Sequence, residues 1–553
     1  MTGFILTALK YILIILFIGF TLISFLSQRD CEEYKLEKTI RKQRVVLLLF
    51  HLLCSADILI NISANNELEY DFTKTLFLLL AELAFLIVFS IIIPAFVEIS
   101  AGLNNIMCML IDIGFIIRLR LSFDDSIKQF YFILAGALVF LIFTIFCKRV
   151  KFIRNLTWVY CILGLGLLAL VFLLSRISYG AKLSLEIGPF SFQPLEFVKI
   201  LFVLFVASAF NKSNKFSTVL ITAIIAAAHV LIQVLCKDLG SALILFVIYI
   251  FMLFAATRRL RYLVIGTGLF LAAGFAAIKL FSHVAVRVSV WLNPWADVDD
   301  QGYQIAQSLF GIGTGGWFGT GLFNGSPENI PLVNKDMVYS AVSEEFGTVF
   351  GIFLIILCLC LFIFIIKISI RLEMTFYKLL SLGLGLSYIT QVFLTIGGAV
   401  KFIPLTGVTL PFISSGGSSL LASFIMFGII ESLYVISESD VCNERIKIMN
   451  GEINDIYGPA NLSAYSGEES ESDYEEDEYT DFGENSKEDA WADSEYDECE
   501  ADYDVDALEN YADNDLKDEY KTERKQSRKV NKIRNEDVLG EIVITKDGRV
   551  FRK

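Results

Sequence analysis

Residues 291–304 read WLNPWADVDDQGYQ and hold three carboxylates within four positions, Asp297, Asp299 and Asp300. Carboxylates so placed can take a proton as a general base or share a divalent cation. Trp291, Pro294 and Trp295 stand beside them, and tryptophan favours a membrane–water boundary.

A second set of charges lies inside apolar runs or at their ends, where charge is costly and usually faces a cavity or a partner. Glu196 and Lys199 in FQPLEFVKI are three apart and share one helix face. They can neutralise each other or line a polar cavity. Lys237 and Asp238 in CKDLGSA fall at a helix boundary, where Gly240 and Ser241 permit close packing; that reading is structural. Arg118 and Arg120 end a helix on the side that the positive-inside rule disfavours, which fits an anionic ligand or simple snorkelling.

VNKDMVYSAVSEEFG places Asp336, Glu344 and Glu345 at the mouth of a following helix. GGAVKFIPLTGVTLPFISSGGSSLL sets Lys401, two prolines, Ser415 and Ser418 at another boundary. Together these motifs suggest broken helices around a cavity open to the outside. The glycine-rich run GIGTGGWFGTGLFNG follows no strand, so it is expected to form a tight turn or a re-entrant element and not a nucleotide loop.

The elements that must position these residues are membrane helices. Of 553 residues, 55% are hydrophobic, 48 are Phe, and the mean hydropathy is +0.61, which excludes an ordinary soluble protein. Thirteen apolar runs of about 17 to 25 residues can each cross a bilayer. They lie near 4–26, 45–63, 74–98, 103–119, 130–147, 156–175, 193–210, 216–235, 239–256, 261–281, 346–366, 378–397 and 411–436. The first lacks a small-residue cleavage site and is read as an anchor.

Lys and Arg in the short loops orient the bundle. Arg29 to Arg44, Lys148 to Arg154, Lys212 with Lys215, Arg258 to Arg261, and Lys367 with Arg371 all fall on one side. The N-terminus and the 282–345 loop are then outside and the C-terminal tail is cytoplasmic. A reaction on that loop needs a substrate already activated and presented at the outer leaflet. The ten cysteines are scattered singly and read as small buried hydrophobes. His51, His229 and His283 are too dispersed for a metal motif.

The formal charge of −14 divides into about −20 after Ile436 and about +6 before it. Residues 467–519 carry too few aliphatic side chains for their charge and are expected to form a disordered tail. EIVIT, KDG and RVF near the C-terminus can make a hairpin. The tail reads as a solvated appendage or as a docking peptide for a cytoplasmic partner.

FQPLEFVK, KDLGSA, NPWADVDDQGYQIAQSLFGIGTGGWFGTGL, SEEFG and FIPLTGVTLPFISSGGSSLL occur in the order and spacing of the SEDS family (shape, elongation, division and sporulation), which includes FtsW and RodA. The resemblance spans about residues 100–438. It implies an all-α polytopic protein: a three-helix extension over 1–100, a ten-helix core over 101–438, and a tail over 439–553. It also implies a peptidoglycan glycosyltransferase of cell division or cell-shape maintenance. Such enzymes polymerise lipid II, a disaccharide-pentapeptide on undecaprenyl pyrophosphate, beside a class B penicillin-binding protein transpeptidase.

The family's essential acid falls on Asp297, as general base. Arg287, Lys401, Arg118 and Lys199 are candidates to stabilise the leaving pyrophosphate. Glu196, Asp336, Glu344, Ser415 and Ser418 are candidates for the rest of the substrate site. No cofactor is firmly implied, although Asp297, Asp299 and Asp300 could together hold a divalent cation against the pyrophosphate.

The chain departs from the family pattern at Ser184, where many members have tryptophan, and at Asn334 and Lys335, which precede Asp336 in place of His-Thr. A lipid flippase and a division scaffold are the alternatives. A flippase needs charges along a mid-bilayer path, whereas Asp297, Asp336, Glu344, Arg287 and Lys401 gather on the outer side, which favours the enzyme.

Overall fold

The computed structural model describes residues 2–28, 33–65, 70–149, 151–175, 184–187, 190–457, 538–539, 542–544 and 550–552. Two compact units divide at residue 445. Among the described residues, thirteen helices are long and apolar enough to cross a membrane, and they match the expected runs.

The first three spans are α1 (Thr2–Leu26), α2 (Glu33–Ala64), and α3 (Phe72–Ile87) continued by α4 (Ile93–Phe96). Between α3 and α4 lies a π-helical turn, Val88–Ile92. Its cause is Pro94, which has no N–H to donate and forces the ladder open. The freed Phe89 carbonyl accepts from Asn104 Nδ2 at 2.6 Å.

α5 (Ala101–Leu121) is buried from Gly102 to Arg120 and forms an axis of the bundle. α2, α3 and α6 (Phe123–Arg149) pack on it. The chain continues through α7 (Thr157–Leu174), α8 (Pro194–Lys212), α9 (Phe216–Leu235), α10 (Leu239–Thr257) and α11 (Leu260–Leu280), with α7 packed on α8 and α9, and α10 between α9 and α11. A short antiparallel pair, β1 (Leu185–Ile187) and β2 (Phe190–Phe192), precedes α8; three-residue strands leave no periodicity to read.

Shorter elements then build one end of the bundle: α12 (Ser282–Leu292), a 3₁₀ turn at Pro294–Asp297, α13 (Tyr303–Gly315) and α14 (Val338–Phe346). The last spans are α15 (Thr348–Arg371), α16 (Thr375–Ala399) and α17 (Gly417–Tyr457). α17 starts later than the hydropathy suggests. Pro411 and the positive φ values of Phe412 (67°) and Gly416 (150°) keep residues 411–416 out of the helix.

Within residues 446–553, β3 (Val538–Leu539), β4 (Ile542–Ile544) and β5 (Val550–Arg552) form an antiparallel sheet in that order, with Ile542 opposite Arg552. The acidic stretch 467–519 lies outside the described residues.

Packing joins the first helices to the rest. Phe17 of α1 stacks on Phe350 of α15 with centroids 3.9 Å apart, and Gln28 Nε2 donates to the Cys360 carbonyl at 2.7 Å. In a bilayer such contacts and hydrogen bonds, not water exclusion, hold helices together.

The glycine-rich run turns at residues 316–318 and 322–324, as its composition suggests. After α13 it becomes a strap lying against the α14–α15 junction: Thr320 and Gly321 N–H donate to the Glu344 and Glu345 carbonyls at 2.9 Å, and Thr348 N–H donates to Gly316 O at 2.9 Å. Gly319 has φ +76°, and a Cβ there would meet the Glu345 carbonyl oxygen at 2.1 Å. Gly319→Ala should therefore destabilise the bundle by about 2–4 kcal/mol, read as a lowered Tm in detergent, whereas Gly313→Ala, inside α13 with nothing within 4 Å, should leave Tm unchanged or raise it, stabilising by up to about 1 kcal/mol.

Candidate active site at one end of the bundle

A cavity of about 440 Å³ opens at the end that carries α12, α13 and α14. Five pieces of chain converge on it, each at a helix end, a corner or an irregular segment. Pro194 starts α8 and leaves Gln193 and Glu196 at the wall. Asp238 caps α10, accepting from Ser241 N–H at 3.0 Å. The α12–α13 corner supplies Arg287, Gln301 and Gln304, and the irregular segments at 332–336 and 405–409 close the rest.

The lining is electrostatically mixed: Glu196, Asp238 and Asp336 face Lys237, Arg287 and Lys335 across one space. Lys199 backs this wall, 2.6 Å from Glu196 Oε2 and donating to Gln391 Oε1 at 2.8 Å. Gln391 in turn donates to the Thr409 carbonyl at 2.9 Å. Both Glu196 readings thus hold at once, as an ion pair and as part of a polar wall.

Arg287 donates to the Leu405 carbonyl at 3.2 Å. Burial pulls its guanidinium down from the ordinary value, against the opposing pull of Asp238 and Asp336. Asp336 receives long contacts from Gln304 Nε2, at 3.5 Å, and a backbone hydrogen bond from its own N–H. Burial pushes its carboxyl up to about 6, with Gln304, Lys335 and Arg287 partly offsetting this.

Asp297 ends the 3₁₀ turn between α12 and α13. Its side chain is exposed and outside the cavity lining, although Arg287 before it and Gln301 after it are both in that lining. Gly302 makes this corner possible: its N–H donates to the Asp297 carbonyl at 2.8 Å, and a Cβ would strike the Pro294 carbonyl at 2.1 Å. Trp291 Nε1 fastens the corner to the Lys401 carbonyl at 3.2 Å, and Trp295 packs on Phe310 at 5.6 Å.

Asp299 and Asp300 are also exposed. Among the described residues, no three His, Cys, Asp or Glu side chains group as a metal site, so the three aspartates do not assemble the cation site that their spacing allows.

Other candidates support the site without lining it. Glu344 is buried and takes Ser326 N–H at 2.7 Å. Arg118 donates to the Asn334 carbonyl at 3.1 Å, and Ser415 N–H donates to the same carbonyl at 2.7 Å. Ser418 Oγ accepts from Gln193 N–H at 3.0 Å. Lys401 contributes its carbonyl to Trp291, from a residue at φ 59°.

Arg120 is neither snorkelling nor free. It pairs with Glu345 at 2.8 Å and Glu328 at 3.3 Å, and donates to the Gly325 carbonyl at 2.8 Å. Lys237 and Asp238, read from sequence as structural, line the cavity. Gln193, Gln301, Gln304 and Thr409 do too. Neutral amides give no signal in a sequence; an aspartate ahead of LGSA does signal a cap.

Such a fold and site define a multi-pass membrane protein with a charged cavity at one end of a helical bundle. The model of the FtsW, RodA and SpoVE family, described as cell cycle protein, matches residues 103–438; the chain belongs to this family, the SEDS proteins, and residues 2–96 precede the matched region.

Peptidoglycan glycosyltransferase RodA of Mycobacterium tuberculosis is 35% identical over 322 residues, covering 55% of this chain and 69% of the relative. Stage V sporulation protein E of Bacillus subtilis is 29% identical over 325 residues, covering 56% and 87%. Probable peptidoglycan glycosyltransferase FtsW of Aeromonas salmonicida is 31% identical over 280 residues, covering 48% and 70%. A solved structure described as "Structural coordination of polymerization and crosslinking by a peptidoglycan synthase complex" shares the fold, with TM-score 0.52, 24% identity, and 61% and 98% of the two chains covered.

The position of Asp336 sets a pH dependence. With its folded value raised above the ordinary 3.8, it favours folding fully below about 4, and that contribution is lost as pH rises through about 6. Asp336→Asn should gain on the order of 2 kcal/mol over wild type at pH 7.5 and little at pH 4; an equal Tm difference at both pH values would contradict this.

Proposed function

We propose that this protein, a peptidoglycan glycosyltransferase, polymerises lipid II at the outer face of the cytoplasmic membrane with Asp297 as general base. The observation that carries the reading is the joint placement of the Asp297 corner and the cavity: the helices on either side of Asp297 both contribute to a wall bearing Arg287, Lys237 and Lys335. A sugar held in the cavity mouth can meet a carboxylate and a cationic surface together.

In the reaction, an acceptor sugar hydroxyl oxygen bonds to the donor's anomeric carbon and its proton passes to the Asp297 carboxylate. The bond from that carbon to the pyrophosphate oxygen breaks, and the lipid pyrophosphate leaves with the electron pair. Arg287 and the two lysines offset the charge that develops there. Asp336 and Asp238 keep the empty cavity from being strongly cationic, so a neutral sugar and an anionic phosphate can both be accommodated.

The loop basicity supports an outside N-terminus and a cytoplasmic tail. Trp295 and Trp317, 51% and 67% exposed at the same end as the cavity, suit a membrane boundary where a lipid-linked substrate would lie. A class B penicillin-binding protein is the proposed crosslinking partner, and division or elongation proteins are proposed to dock on the acidic tail.

Asp297→Asn keeps the size of the side chain and removes the base. Purified with its transpeptidase partner and given lipid II, it should form glycan chains about 10²–10⁴-fold more slowly while retaining lipid II binding. Equal chain formation would remove Asp297 from the mechanism, and transfer of labelled lipid II across liposomes without chain formation would favour the flippase.

A further inference from the structure

Half way through the bundle, the seam between the first helices and the family core buries three titratable side chains from three helices. His51 of α2 and Asp112 of α5 are fully buried, with Nδ1 and Oδ1 2.6 Å apart. Glu82 of α3 is also fully buried, and neither of its carboxyl oxygens has a hydrogen-bond partner. It lies within electrostatic reach of both His51 and Asp112.

The chemistry of the contacts limits the proton count. His51 Nε2 lies 3.2 Å from the Leu79 carbonyl, an acceptor only, so this nitrogen carries hydrogen. The short contact on the other side is then imidazolium to carboxylate, or neutral imidazole to carboxylic acid; in both cases that pair is neutral overall. Glu82 is left over. An unpaired carboxylate inside a membrane costs several kcal/mol, whereas the neutral acid costs only an unmade hydrogen bond.

Other groups facing the triad are Cys54 and Asp57 on α2 and Cys108 on α5, with Arg44 beyond Cys108. Asp57 accepts from Asn61 Nδ2 at 3.0 Å and, being an acid like Glu82, adds no positive charge beside it.

We propose that His51, Glu82 and Asp112 form an intramembrane proton-binding site that closes the seam between the N-terminal helices and the catalytic core, with Glu82 holding the proton beside the His51–Asp112 pair. α2 and α3 lie outside the matched family region, and α5 lies almost wholly inside it, so the site exists only where the two parts meet. α5 carries Asp112 in its middle and Arg120 two turns further on, so the helix that closes the site also holds the cavity's supporting loop.

Infrared spectroscopy of the full-length protein in nanodiscs tests this directly. Wild type should show the carbonyl stretch of a protonated carboxyl that is absent from Glu82→Gln. Asp112→Asn should weaken it several-fold, because Glu82 then becomes the counter-ion of His51. Independently of any variant, dicyclohexylcarbodiimide, an apolar reagent for protonated carboxyls, should modify wild-type Glu82 at neutral pH and do so several-fold less at alkaline pH, as mapped by peptide mass spectrometry. A carbonyl band identical in wild type and Glu82→Gln would overturn the proposal, as would Glu82 labelling that does not change with pH.

Discussion

Arg120 meeting Glu345 is the contact on which the cavity end depends. Both side chains are buried and 2.8 Å apart, and the same guanidinium holds the Gly325 carbonyl and Glu328. Removing one member of such a pair strands the other and costs about 3–5 kcal/mol. The pair ties α5 to α14 and to the loop between α13 and α14. Tyr70 reinforces the joint by donating to the Leu119 and Arg120 carbonyls at 3.0 and 3.1 Å, and Lys10 of α1 donates to the Gly319 carbonyl of the strap at 3.1 Å. The N-terminal helices therefore brace the region that frames the site.

Pairing charges before burying them explains the cavity as well. Lys199 sits behind Glu196, Asp238 is spent partly on a helix cap, and Arg287 has a carbonyl partner. Each charge is held but not saturated, which leaves hydrogen-bonding capacity toward a ligand. Asp336 has 3.5 Å side-chain contacts from Gln304, long for a hydrogen bond. Three positive-φ residues lie in the cavity lining, Lys237 (φ 63°), Leu332 (φ 54°) and Gly407 (φ 76°), and non-helical chain at membrane depth is tolerated where it lines a cavity.

The bundle was legible in the sequence because hydropathy over some twenty residues is a strong signal, and all thirteen runs became helices. The family followed from long composite motifs. What the linear chain withheld was partnership. Glu344 and Glu345 look alike as neighbours, yet one holds a loop amide and the other an arginine 225 positions away. Arg118 and Arg120 read as unpaired because their partners come from the far side of the chain. His51, Glu82 and Asp112 lie on three separate spans, and no spacing rule could have joined them. Lys237 and Asp238 read as packing residues because a cap and a cavity wall look the same in one dimension.

The proposed seat of the lipid-linked sugar is the cavity between α8, α10, α12 and the 405–409 segment. Photo-crosslinking with lipid II carrying a diazirine on its peptide, followed by peptide mapping, measures this most directly. Label is expected on residues 286–305, 332–336 and 405–409, displaced by unlabelled lipid II. Label confined to the lipid-facing sides of α9 and α11, with none at the cavity, would contradict it.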